Sequence, residues 1–535
     1  MASLQAADYI IIGGGSAGCV LAARLSEDPG VRVLLLEAGG WDYSPIIRIP
    51  AGEIMAIMNP KYNWTYMADP DPSRRGRVDM WPAGRLLGGG SSINGMMYVR
   101  GNRGDYDQWA QMGCHGWSYD DVLPYFNMAE TNENGGSRYR GGDGPLSVAN
   151  ARVHNPMTDA FIKAGQEVGI SHNPDVNGEV QEGIGPSQAT QKKGWRHSTA
   201  RAYLAPARRR PNLDIKTHAV VRRIMVEQNR AVAVEVDYKG QRVIFRAERE
   251  IILSAGAIAS PKILMLSGIG PADHLRDHGI AVQHDLPGVG QNLQEHPGVI
   301  LSYHVTHPSL NMEASNPLKF IKHGLNFLLF GRGPASTSIG HAIAFIRTRE
   351  ELEWPNIQLS YTPIAYDFTP EGVQLYKRSA VGLAVNVCRP EGRGRILLRS
   401  ANPEDKPVID HQLLGHAEDM KQMIEGCRVA RSIFNAPAFQ KYLENERLPG
   451  NAVNSDAEWE DFIRQYAFLM YHPVGTCKMG VDAMAVVDPE LRVNGVSGLR
   501  VVDASIMPVV PSANTNAPAI MVGERAADLI RGAGS

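Results

Sequence analysis

Asp8-Tyr9-Ile10-Ile11-Ile12-Gly13-Gly14-Gly15-Ser16-Ala17-Gly18-Cys19-Val20-Leu21-Ala22-Ala23-Arg24-Leu25 decides how this chain is read. Tyr9–Ile12 is apolar and β-branched, short enough for a strand buried on both faces. It runs into G-x-G-x-x-G, Cys19–Leu25 follows with helical character, and Val31–Leu36 is a second apolar strand ending in Glu37. Each part has a use in holding a dinucleotide. Gly13 permits the turn, Gly15 lets the backbone approach a pyrophosphate, and Gly18 lets the helix lie close to the strand. Ser16 and Ala17 open a helix whose N-terminus presents unpaired N–H groups and a partial positive charge. Glu37, 19 residues beyond Gly18, is placed to accept hydrogen bonds from ribose hydroxyls. Gly14–Gly18 also fits the G-x-S-x-G elbow of hydrolases. That elbow needs an oxyanion loop from an earlier strand, and the residues before Ser16 supply a single strand. Dinucleotide binding is the better reading, with NAD and FAD both open on these residues.

The 535 residues correspond to three or four units at about 150 residues each. Lys plus Arg is 54 against 56 for Asp plus Glu, a net charge of -2, which gives no footprint for nucleic acid. The basic clusters Arg74-Arg75 and Arg208-Arg209-Arg210 read as solvated loops. Cys19, Cys114, Cys388, Cys427 and Cys477 are scattered without C-x-x-C spacing, so a reducing compartment is expected. No Lys or Arg precedes Arg24, unlike the start of a signal peptide, and no run of 18 apolar residues occurs. A cytoplasmic protein is expected.

Ala83–Tyr98 packs glycines, serines and an asparagine into one run, an anion nest or a flat ligand contact. Trp64 and Tyr66, in the loop before it, read as core. Residues 118–130 and 155–170 are expected to be helical, and segments between 213 and 245 to form a small antiparallel sheet. Ile251–Leu253 is a buried strand that turns through Ser254-Ala255-Gly256 into a helix. Beyond residue 300, strand-like stretches alternate with helices, Met420–Phe434 being the strongest; the apolar stretch Leu318–Phe330 reads as a core helix. Near the end, His472 sits in a Pro/Gly loop, Leu499–Val502 is a strand ending in Asp503, and a helix starts after Pro511–Ala519. No H-E-x-x-H or comparable metal spacing occurs, so no metal site is expected.

Gly84–Asp107 resembles, position by position, the first signature of the glucose–methanol–choline (GMC) flavin oxidoreductases, and Gly256–Gly270 resembles their second. Gly288–Pro297 and the His472 loop are similar to further hallmarks of that family. The resemblance implies an α/β fold: a Rossmann-like FAD-binding domain plus an α+β substrate domain whose β-sheet is backed by helices. The implied segments are 1–155, 210–300 and 466–535 for FAD, and 156–209 and 301–465 for substrate. Cofactor contacts are implied at Gly13, Gly15, Ser16, Ala17, Gly18, Glu37, Ala38, Trp64, Arg85, Gly90, Ser92, Asn94, Gly95, Met96, Val220, Ala255, Asp503, Ala504 and Asn516.

By the same resemblance, His472 is the active-site base and Asn516, 44 residues later, its partner. The chemistry asks for such a pair: a hydroxyl proton must leave as hydride leaves carbon, and a neutral amide can orient the same oxygen. Ile93 stands where some members carry a histidine bonded to flavin, so FAD is expected to be non-covalent. Gly298 stands where choline-specific members carry a glutamate, so uncharged primary alcohols, small or oligomeric, are expected. A quinone- or dye-type acceptor is expected, as in alcohol and polyethylene glycol dehydrogenases. Alternatives are an oxidase making peroxide, a choline dehydrogenase, or a hydroxynitrile lyase. Peripheral membrane contact and a homodimer stay open.

Overall fold

The computed structural model describes residues 6–314, 317–369 and 372–532, side chains 314–321 and 368–373 excepted. The strand–turn–helix–strand unit is present as Ala6–Ile12, Ser16–Leu25 and Val33–Glu37. Tyr9–Ile12 pair in parallel with Val33–Leu36 on one side and with Glu250–Leu253 on the other. With neighbours on both edges and helices over the faces, Ile10, Ile11 and Leu35 are fully buried, the setting that suits a continuous β-branched run.

The first sheet runs Leu213–Thr217, Val33–Glu37, Ala6–Ile12, Gln241–Leu253, Arg230–Tyr238, Ala219–Glu227, with Leu499–Val501 beside the end of Gln241–Leu253. Leu213–Thr217 corrects the sequence reading: it pairs in parallel with Val33–Glu37 instead of joining an antiparallel sheet. The Asn212 side chain donates to the carbonyls of Ser26, Asp28 and Val31, which docks the strand against that edge. The antiparallel hairpins grow from the 13-residue strand Gln241–Leu253, which ends in the buried Ile251–Leu253.

The second sheet is antiparallel: Leu443–Leu448, Pro297–Val305, Ala380–Val387, Ile357–Thr362, Ala342–Ile346, Gly183–Pro186, with Phe468–Leu469 beside Pro297–Gly298. Period-two alternation divides its faces. Leu359, Tyr361, Val381 and Leu383 pack into the core shared with helices Pro156–Glu167 and Ala417–Asn435. Ser360, Thr362, Gly382 and Ala384 turn the other way and line a cavity. The sheet is thus a wall between a helix layer and a site.

The helix Pro317–Phe330 is not a core helix over its described side chains, those from Lys322 onward. Phe327 is buried with its ring 4.5 Å from that of Trp195, whereas Leu325, Leu328, Leu329 and Phe330 are more than half exposed. One face packs, and the apolar residues exceed what that face can cover. All five cysteines are buried and unpaired.

Candidate active site

Backbone geometry builds the cradle. Gly13 holds φ at +100°, and a Cβ on Gly18 would lie 2.0 Å from the Gly13 carbonyl oxygen. Only glycine lets the helix begin so near the strand. That helix has no side-chain cap at Gly15, so its first N–H groups are open to an anion. Glu37 is buried under the turn, Oε2 accepting from Gly14 N–H at 2.9 Å and Oε1 from Gly39 N–H at 2.7 Å. Burial raises its pKa and the two N–H groups oppose the rise. Each carboxylate oxygen keeps a further lone pair for a ribose hydroxyl.

The second glycine run packs on the first. Gly88 N–H donates to the Gly14 carbonyl at 2.7 Å, and a Cβ on Gly89 would sit 2.7 Å from Gly15 Cα. The Ser91 and Ser92 hydroxyls donate back to Gly88 and Leu87 carbonyls, so they brace the loop. Arg85 lies 4.8 Å from the Trp64 ring centre, and its buried Nε has no partner. A cavity of about 820 Å³ opens here and is lined by Ser16, Gly90, Asn94, Gly95, Met96, Ala504 and Asn516, continuing to Met470, His472 and Asn514. Ala17, Ala38, Val220 and Ala255 are outside this lining. The Asp503 carboxylate accepts from Gly256 N–H, Ser260 Oγ and Ser505 N–H, tying the final strand to the helix after Gly256. An open helix start, a glycine-floored surface, a buried acid with spare lone pairs and an orphaned guanidinium N–H fit a dinucleotide such as FAD.

At the far end a polar chain crosses the core. The His296 ring donates through Nε2 to the Cys388 carbonyl at 3.0 Å, and its Nδ1 is 2.9 Å from His472 Nδ1. His472 Nε2 is 3.1 Å from Asn514 Nδ2, and Gln358 Nε2 donates to Asn514 Oδ1 at 3.3 Å. A carbonyl only accepts, so His296 carries its proton on Nε2 and accepts at Nδ1. His472 must then donate from Nδ1, which leaves a lone pair on Nε2. The Asn514 amide gives the same answer, since Gln358 turns its N–H group toward Nε2.

Burial, with the His296 ring beside it, holds the His472 pKa well below the usual value. His296 is lowered to about 4 by burial, so both rings are neutral near pH 7. Beneath them Glu295 accepts from the backbone N–H groups of His472 and His296; burial pushes its pKa to about 8 against those donors.

Asn514, not Asn516, is the residue against His472. Asn516 begins the helix Asn516–Gly532 and accepts from Ser16 Oγ at 2.7 Å, joining the two helix starts. Asn514-Thr515-Asn516 offers two amides two residues apart, and only the fold shows which one faces the histidine. His296 stands inside the hallmark quoted above, but its partner is 176 residues away.

Among the described residues no three His, Cys, Asp or Glu side chains cluster as a metal site, and no helix is long and apolar enough to cross a membrane. Residues 7–298 and 390–523 match the N- and C-terminal domains described for GMC oxidoreductases. The chain is 46% identical to oxygen-dependent choline dehydrogenase 1 of Chromohalobacter salexigens over 98% of its own length and 95% of the relative's. It is 45% identical to the Klebsiella pneumoniae oxygen-dependent choline dehydrogenase over 98% and 96%. Pyridoxine 4-oxidase from Mesorbium loti superposes with a TM-score of 0.89 at 32% identity, covering 98% and 99% of the two chains. An Aspergillus oryzae formate oxidase variant, studied for its FAD modification, superposes with a TM-score of 0.92 at 27% identity over 100% and 99%. The chain belongs to the GMC oxidoreductase family, FAD flavoenzymes that act on CH–OH donors.

Proposed function

We propose that the chain oxidises primary alcohols to aldehydes, with His472 removing the hydroxyl proton. The observation that carries this is the lone pair on His472 Nε2 at the cavity wall, fixed by the Cys388–His296 chain and faced by the Asn514 amide. Bound FAD supplies a hydride acceptor. The protein's part is to take the hydroxyl proton on Nε2, where the alcohol hydroxyl replaces the Asn514 N–H, hold the alcohol oxygen against Asn514 Nδ2, and stabilise the resulting imidazolium through its Nδ1–H bond to His296. Gly13, Gly15, Glu37 and the start of helix Ser16–Leu25 would hold the dinucleotide, with Gly90, Asn94, Gly95, Met96 and Ala504 beside its ring and linker. Ile93 offers no nucleophile, which supports a non-covalent flavin.

A quinone-type acceptor and peripheral membrane contact are supported by exposed Leu325, Leu328, Leu329 and Phe330. Oxygen as acceptor is the second reading, favoured by the names of the relatives. Choline as substrate is favoured by the same names. The expectation of an uncharged alcohol came from Gly298, where a Cβ would lie 2.5 Å from Met470 Sδ, so this wall holds no acid.

The test is anaerobic bleaching of the flavin with a panel of alcohols, followed by a quinone or by air. Primary alcohols should bleach it and quinone should restore the colour faster than air. Prompt recovery in air with peroxide would move the enzyme to the oxidase reading; aldehyde and cyanide release from cyanohydrins without bleaching would sink the oxidation reading. Acid precipitation should release yellow colour to the supernatant.

A further inference from the structure

We infer that Glu295 is a positioning residue for the base: its carboxylate holds the strained turn that aims His472 at the cavity. This rests on the proton-removing role given to His472 above. Gln294-Glu295-His296-Pro297 and Met470-Tyr471-His472-Pro473-Val474 run antiparallel to each other. Pro297 pairs with Leu469, and Gln294 with Val474. Between those pairs one strand has two residues, 295 and 296, and the other has four, 470–473. The excess makes a bulge, and His472 stands in it.

A bulge interrupts the ladder and leaves N–H groups to be satisfied in other ways. Met470 N–H still reaches the His296 carbonyl at 3.2 Å, and Val474 N–H reaches that of Gln294 at 3.1 Å. Pro473 has no N–H. His472 N–H donates instead to both oxygens of Glu295, at 2.8 and 2.7 Å. Glu295 Oε1 also accepts from His296 N–H at 2.9 Å, so one side chain joins the two strands across the gap. His472 is buried, where an unpaired N–H is costly.

Backbone conformation points the same way. Tyr471 holds φ at +64°, a region that a residue with a Cβ enters at a steric cost. Such a conformation persists only where the surroundings enforce it. Here Met470 is held on His296 before it and His472 on Glu295 after it, so the left-handed turn is clamped at both ends. Burial pushes the Glu295 carboxyl up, and the N–H groups of His472, His296 and Met470 oppose the rise. Trp81, Arg393 and His411 share a small pocket with Glu295 without hydrogen-bonding to it. Trp81 Nε1 and both His411 nitrogens have no hydrogen-bond partner, and Arg393 donates to the Pro390 and Gly392 carbonyls. The carboxylate is thus committed to backbone N–H groups, and the turn between them carries the base.

The test is anaerobic stopped-flow reduction of the flavin by a primary alcohol in the holoenzyme, read together with hydrogen–deuterium exchange across residues 468–476. Glu295→Gln keeps the volume and sets an NH2 group against an N–H. Its limiting rate should fall by about 10- to 100-fold, with flavin content and the half-saturating alcohol concentration near wild type, and residues 468–476 should exchange faster. Asparagine tolerates a left-handed conformation, so in a Tyr471→Asn background the same change should cost at least about threefold less. With Glu295 in place, Tyr471→Val should reduce more slowly than Tyr471→Asn, because a β-branched residue resists the turn. An unchanged limiting rate in Glu295→Gln, or an equal loss in both backgrounds, would overturn the proposal. Should Glu295→Gln fail to hold flavin, equal rates in Tyr471→Val and Tyr471→Asn would overturn it. Bleaching by no alcohol, with exchange faster in Glu295→Gln and restored toward wild type by Tyr471→Asn, would uphold the turn and overturn the alcohol reading.

Discussion

The basic nitrogen of His472 is set by a neighbour that never touches substrate. His296, anchored on the Cys388 carbonyl, demands the Nδ1 proton of His472 and so presents the Nε2 lone pair to the cavity. His472→Ala should slow flavin reduction by about 10²- to 10⁴-fold with FAD retained. His296→Phe removes the acceptor and frees the tautomer, whereas His296→Gln keeps an acceptor oxygen. Stopped-flow reduction should therefore be slow in the first and largely rescued in the second; equal rates would show that His296 only fills space. Because burial depresses the His472 pKa, the ring stays unprotonated as pH falls through its usual titration range. The acid limb of kcat/KM should lie below about 6.5, the unperturbed histidine value. Asn514→Ala should impair the reduction rate with flavin content unchanged. Asn516→Ala, which breaks the link to Ser16, should instead lower flavin content.

At the scale of elements, the cofactor site is a contact between glycine surfaces and two helix starts. Gly18→Ala would drive a Cβ into the Gly13 carbonyl and force the helix off its strand. Overpacking of this kind costs about 1–3 kcal/mol, so thermal unfolding should shift down and purified protein should lack flavin. Gly90→Ala is the matched control: a Cβ there meets nothing within 4 Å. Unfolding of the apoprotein should be unchanged, and any loss should be confined to flavin affinity, because position 90 lines the cavity. Equal destabilisation in both would contradict the difference in packing.

On the scale of the whole molecule, one cavity lies between the second sheet and the helix starts at Ser16 and Asn516, while an apolar helix end faces outward. Leu325, Leu328, Leu329 and Phe330 expose more apolar surface than a single packed face can hide. Co-sedimentation with phospholipid vesicles should retain the wild-type protein and release Leu329→Ser/Phe330→Ser, with bleaching by alcohol unaffected. Indifference of binding to the double change would remove this helix from any membrane contact.

Periodicity and local turn chemistry are written into short stretches, so the nucleotide cradle was legible before any coordinates. The run from Tyr9 to Gly18, Glu37 and the glycines near 84–90 each carry a local constraint that few residue types satisfy. The helices near 119–129, 156–167 and 417–435 were legible for the same reason, their apolar spacing being a property of the segment. What the linear order could not decide were contacts between distant segments. Parallel pairing of Leu213–Thr217 depends on Asn212 reaching carbonyls some 180 residues earlier. The choice of Asn514 over Asn516 depends on which amide the start of the last helix turns toward His472. The tautomer of that histidine depends on a carbonyl at Cys388. Hydrogen-bond direction is a property of neighbours in space, and only the folded chain supplies those neighbours.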